Sequence, residues 1–130
     1  MTDLVELRTK LKKYSVLFVD DEESIRFSTG RFLKKFFNSV DVADNGETGL
    51  QSYKNHTHDI VITDILMPKM NGDIMAKKIT ELNPDAFIVF VTASRDHEEY
   101  DGVAKSFKVT KPLSFEVVQE MIEKIAQMIE

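Results

Sequence analysis

The chain has 130 residues, 42% hydrophobic and 30% charged, with a net charge of -5, a length and balance that suit one globular domain and leave no room for two cores. Zero cysteines exclude disulfides and thiolate metal sites and fit a reducing, cytoplasmic setting. No apolar run reaches the length of a membrane span and no secretory signal opens the chain; the acidic balance, without a basic stripe, argues against a nucleic-acid surface.

Residues 1–14 place Leu4, Leu7, Leu11 and Tyr14 at helical spacing behind Asp3, a good N-cap, with Glu6 three positions further on. This reads as a short helix laid on the domain, or as a dimer contact. Ser15 to Asp20 predicts a first strand. Glu23 to Phe37, with Ile25, Phe32, Leu33, Phe36 and Phe37 among Arg and Lys, predicts an amphipathic helix. Gly30 costs that helix about 1 kcal/mol against alanine, which points to close packing there. Val40 to Ala43 is a short strand, Asn45-Gly46 a turn, and Glu47 to Lys54 a helix. His56 and His58 flank Thr57 in what reads as a polar surface loop. Asp59 to Thr63 is a strand, and Ile74 to Leu82 a helix stopped at Asn83-Pro84. Strands at Phe87 to Val91 and Phe107 to Thr110 follow. Ser114 then caps a last helix whose apolar stripe is Phe115, Val118, Ile122, Ile125 and Ile129. That stripe is mainly core; Met121 and Met128 lie partly off it, where a dimer or partner face stands as the second reading. Strands alternating with helices predict a parallel sheet with helices on both faces.

The polar residues collect where the strands stop, which in open parallel sheets is where ligands bind. Asp20-Asp21-Glu22-Glu23 ends the first strand and Asp64 the third; Thr92-Ala-Ser94 ends the fourth, and Lys111-Pro112 the fifth. Singly these are ordinary: acids suit a helix N-terminus, and an aspartate caps a turn. Together, carboxylates that would repel each other suit a hard cation such as Mg2+, and a lysine with a hydroxyl suits the oxygens of a phosphoryl group.

Val19-Asp20-Asp21, Thr63-Asp64-Ile-Leu-Met-Pro68 with Met70-Asn-Gly72, Val91-Thr92-Ala93 and Lys111-Pro112 resemble, in order and spacing, the receiver domain of two-component response regulators. The resemblance covers roughly residues 14 to 128. It implies a flavodoxin-like (βα)5 three-layer sandwich, sheet order 2-1-3-4-5, over residues 15–130, with residues 1–14 as an extra N-terminal helical extension. It further implies that Asp64 is the phosphoacceptor. Asp20, Asp21, Asp64 and the backbone carbonyl of Leu66 would hold Mg2+. Lys111 and Thr92 would contact phosphoryl oxygens, and Lys111-Pro112 would be cis. The implied donor is a sensor histidine kinase or a histidine phosphotransfer protein, and the output is binding to a downstream protein. A homodimer is a further expectation; a membrane or nucleic-acid partner is not. Leu66 and Ser94 occupy positions that tune dephosphorylation in the family.

Two features depart from the pattern. The aromatic residue usual three positions before the strand-five lysine is here Lys108, with Phe107 one place earlier and so on the opposite sheet face. Thr92 and Lys111 are 19 positions apart, shorter than the family's usual interval, which predicts a short or irregular helix around Arg95 to Ala104. Two alternatives stand beside the receiver switch. One is a degenerate receiver that binds partners without phosphorylation. The other is a Mg2+-dependent aspartyl-phosphate phosphatase, which the sequence Asp64-Ile-Leu disfavours because no second acid follows.

Overall fold

Successive side chains of a strand face opposite sides of its sheet, and here both sides are apolar. In the computed structural model, which describes residues 3–93, 103 and 105–129, the strands are β1 (Ser15–Val19), β2 (Ser39–Ala43), β3 (Ile60–Asp64), β4 (Phe87–Thr92) and β5 (Lys105–Thr110). They form one parallel sheet in the order β2-β1-β3-β4-β5, the order the resemblance implied. The helices are α1 (Leu4–Leu11), α2 (Glu23–Leu33), α3 (Gly46–His56), α4 (Gly72–Leu82) and α5 (Phe115–Met128).

The alternation sorts the core into two halves. Val16, Phe18, Ile60, Ile62, Val89 and Val91 face the side covered by α1, α2 and α5, where Leu7, Leu33, Ile122 and Ile125 meet them. Leu17, Val19, Val61, Ile88 and Phe90 face the side covered by α3 and α4, against Tyr53, Met75 and Ile79. At the amino ends of β1 and β3, Asp59 Oδ2 accepts from the Ser15 amide and hydroxyl at 2.9 and 3.2 Å.

Helix α1 begins as its sequence suggests, with Asp3 accepting from the Val5 amide at 3.0 Å. Leu7 and Leu11 are buried, so this helix closes one flank of the core next to α5. That cover explains one correction. Met121, for which a dimer or partner face stands as the second reading, is 2% exposed and shares the core cluster of Leu7 and Leu11, because α1 widens the buried face of α5 beyond a single stripe.

A second correction concerns α2. It stops at Leu33 instead of Phe37, since the Lys35 and Phe36 amides turn back to the carbonyls of Phe32 and Leu33 at 3.1 and 3.0 Å. This tightened turn delivers Phe36 and Phe37 into the core. A third concerns His58, which is 3% exposed instead of lying in a polar loop. Its Nε2 stands 2.7 Å from Asp41 Oδ2, because Thr57, left-handed at φ 46°, turns the chain inward after α3. The expected irregular helix around Arg95 to Ala104 lies outside the described residues.

Candidate acidic pocket at the carboxyl edge of the sheet

Parallel register brings the ends of β1 and β3 side by side, with Val19 opposite Thr63. Asp20 and Asp64, one residue further along each strand, are therefore neighbours, at 0% and 7% exposure. Asp20 Oδ1 accepts from the Glu22 amide at 2.9 Å, a turn that opens α2. Arg26, one turn into α2, donates from Nη1 to the Asp20 carbonyl at 2.7 Å. Asp64 Oδ1 accepts from the Ile65 amide at 2.9 Å, and Asp64 Oδ2 accepts from Lys111 Nζ at 2.9 Å. Lys111 Nζ is also 3.8 Å from Asp20 Oδ2.

The loop after β3 is folded back tightly. The Gly72 amide donates to the Ile65 carbonyl at 2.7 Å, and a Cβ on Gly72 would overlap the Asp64 carbonyl and stand 2.8 Å from Thr63 Oγ1. Only glycine fits this approach. Lys69 in the same loop is left-handed, with φ 66°. Leu66 is 75% exposed there.

On the other side of β3, Asp64 is in register with Val91, which sets Thr92 at the same edge. The Thr92 carbonyl accepts from the Lys111 amide at 2.8 Å, tying the ends of β4 and β5 together. The Lys111-Pro112 bond is cis. Ser94 lies outside the described residues. Phe107 packs on the α1 and α5 side, edge-on to Phe87 at 5.9 Å and with Lys124 Nζ 4.8 Å from its ring centre. The half-buried Lys108 takes the opposite face of β5.

Burial holds the Asp20 carboxyl above the usual carboxylate range; the Glu22 amide and Lys111 oppose this, while Asp64 and Asp21 add to it. For Lys111, burial works toward a lower value. The hydrogen bond that Lys111 donates to Asp64 and the charges of Asp20, Asp64 and Glu22 outweigh it, so the ammonium titrates above the ordinary lysine range.

Oxygens of Asp20, Asp21 and Asp64 lie within 4.8 Å of one another, a group that could hold a metal ion. Asp20 Oδ2 is buried without a hydrogen-bond partner. A buried carboxylate oxygen that accepts no hydrogen bond is costly, and a hard divalent cation with oxygen ligands relieves it. The residues present therefore fit Mg2+ chemistry. Sequence reasoning located Asp20, Asp21, Asp64 and Lys111, which the fold brings together. It missed Arg26, which looks like any charged residue of a helix, and it named Gly72 only as part of the Met70-Asn-Gly72 motif, without the close backbone approach that demands glycine there.

A parallel α/β sandwich with acids from two adjacent strands and a lysine from an edge strand at one rim defines a class of α/β domain built around an acidic pocket. The response regulator receiver domain model matches residues 16–123, and the chain belongs to that family. The chemotaxis protein CheY of Bacillus subtilis is 32% identical over 116 residues, covering 85% of this chain and 96% of its own length. An uncharacterized response regulatory protein of Vibrio cholerae is 30% identical over 126 residues, of whose length this chain spans 46%. Among solved structures, response regulator protein TrrA of Thermotoga maritima, in complex with Mg2+-BeF, superposes with a TM-score of 0.72 at 30% identity, covering 86% of this chain and 98% of that one. Receiver domains are signalling switches of two-component systems, and this chain is one. Among the described residues no helix is long and apolar enough to cross a membrane.

Proposed function

We propose that this domain is a phosphorelay receiver that accepts a phosphoryl group on Asp64 and changes its protein partners in response. The observation that carries the reading is the shared Lys111 ammonium, 2.9 Å from Asp64 Oδ2 and 3.8 Å from Asp20 Oδ2, a buried oxygen that accepts no hydrogen bond. A carboxylate oxygen of Asp64 attacks phosphorus and forms the new P–O bond. The bond from phosphorus to the donor breaks, and its electron pair leaves with the donor, a phosphohistidine imidazole or a carboxylate of a small acyl phosphate. Lys111, already beside the attacking group, follows the transferred oxygens as a point charge, and Thr92 offers them its hydroxyl. Asp20, Asp21, Asp64 and the Leu66 carbonyl would hold Mg2+, which when bound neutralises charge on the transferring group.

The donor in this reading is a sensor histidine kinase or a histidine phosphotransfer protein, and the output is a downstream protein in the cytoplasm. Self-association, with the exposed Leu4 and Val5 of α1 as its contact, belongs to the same reading. The test is intact mass after incubation with acetyl phosphate and Mg2+. Addition of one phosphate, absent without Mg2+ and absent in Asp64→Asn, is expected. No addition would identify a degenerate receiver, and turnover of the phosphate donor without a retained adduct a phosphatase.

A further inference from the structure

Away from the acidic pocket, α2 and the edge strand β2 enclose an open hollow of about 880 Å³, within the size range of sites that receive ligand groups. Its floor is Gly30 and Val42. A Cβ on Gly30 would stand only 3.3 Å from Val42 Cγ1. With no side chain on Gly30, Val42 is 48% exposed at the bottom, and Phe27 is 69% exposed at the side. Apolar groups left this open in a concave setting are a feature of contact surfaces.

The rim has the opposite character. Arg26, Arg31 and Lys34 line it against the single acid Glu23, in a chain whose net charge is -5. Arg26 is fixed by its bond to the Asp20 carbonyl. Arg31 and Lys34 pair with no carboxylate among the described residues. A local excess of cations around an apolar floor, on an acidic protein, has a definite complement: carboxylates flanking an apolar group.

We propose that this hollow docks an acidic segment of a partner protein that presents one large apolar side chain between its carboxylates. The apolar side chain sits over Val42 and Gly30 beside Phe27, and the carboxylates meet Arg31, in a two-pronged bond, and Lys34. Nucleic acid is the poorer complement, because phosphate recognition calls for a longer run of cations and gains nothing from an apolar floor. The proposal does not depend on the phosphoacceptor reading and needs no phosphorylation.

The test is amide NMR on the whole labelled chain, titrated with the peptide acetyl-Glu-Asp-Glu-Phe-Asp-Glu-Glu-amide. A second peptide replaces Phe by Ser, and a third replaces the acids by Lys. Saturable shifts at Phe27, Gly30 and Val42 with the first peptide alone are expected. Arg31→Glu combined with Lys34→Glu should weaken binding by about tenfold or more, and Phe27→Ala should weaken it too. Unchanged amide positions away from α2 and β2 establish that the variants fold. Absence of saturable shifts overturns the proposal, as do shifts centred elsewhere, equal binding of the basic peptide, or binding unaffected by charge reversal. Concentration-dependent broadening of the same residues without peptide also overturns it, by identifying a second copy of the chain as the occupant.

Discussion

Lys111 Nζ donates to Asp64 Oδ2 at 2.9 Å across 47 positions of sequence. The pair joins the end of an edge strand to the end of the central one and sets one ammonium, among the described residues, before two buried carboxylates. Lys111→Met removes that cation while keeping the length of the side chain. We expect a loss of about 1–3 kcal/mol in urea unfolding without divalent ions. Added Mg2+ should stabilise the variant more than the parent, because its competitor for the carboxylates is gone. Phosphoryl uptake from acetyl phosphate should fall with the same change. Equal stability of the two proteins without Mg2+ would mean the ion pair is screened by solvent.

Asp20 carries the opposite sign. Its folded-state value lies above the ordinary one because of burial, so folding takes up a proton there. The stability this group contributes is complete below the unfolded value of about 3.9 and is lost as pH rises through the folded value. Asp20→Asn should therefore be more stable than the parent at neutral pH without Mg2+, by about 1 kcal/mol or more. The difference should shrink as the solution is acidified, and Mg2+ should no longer stabilise the variant. Denaturant curves at a series of pH values check this; a gap that widens in acid would refute it.

Gly72→Ala tests how tightly the loop after β3 must close. The added methyl meets the Asp64 carbonyl and Thr63 Oγ1, backbone and buried side chain that cannot swing away. A cost of about 1–3 kcal/mol is expected from such overpacking, visible as a lower thermal midpoint. Phosphoryl uptake should slow, because relief of the clash moves Asp64.

Thr57 is β-branched yet left-handed, with φ 46°, at the C-terminus of α3. Thr57→Gly should raise stability by about 0.5–1 kcal/mol, since relief of strain exceeds the added freedom of the unfolded chain. A urea midpoint that stays put or falls would show that the threonine side chain contributes more than the backbone strain costs.

Much of the site was legible because its residues are anomalies in an apolar pattern. Asp20, Asp64 and Lys111 each interrupt or end a β-run, and parallel register brings such ends to one rim. What sequence reading could not supply was partnership at a distance. His58 sits beside a threonine and a second histidine, a polar setting on paper; only the inward turn at Thr57 sends it under Tyr53 to Asp41. Phe36 and Phe37 continue a helical period, so nothing local announced that the chain would tighten after Leu33. Met121 looked peripheral because the width of a buried helix face depends on what lies over it, and α1 lies over this one.

The placement of α1 bears on how the protein can be trimmed. The family pattern spans residues 16–123, and a fragment cut at those limits would look complete by homology. It would lack Leu7 and Leu11, and also Ile125 and Ala126 from the last turns of α5, all of them at 4% exposure or less. Their removal would uncover a continuous greasy strip along the remaining part of that helix, and such a fragment should clump in solution more readily than the longer chain.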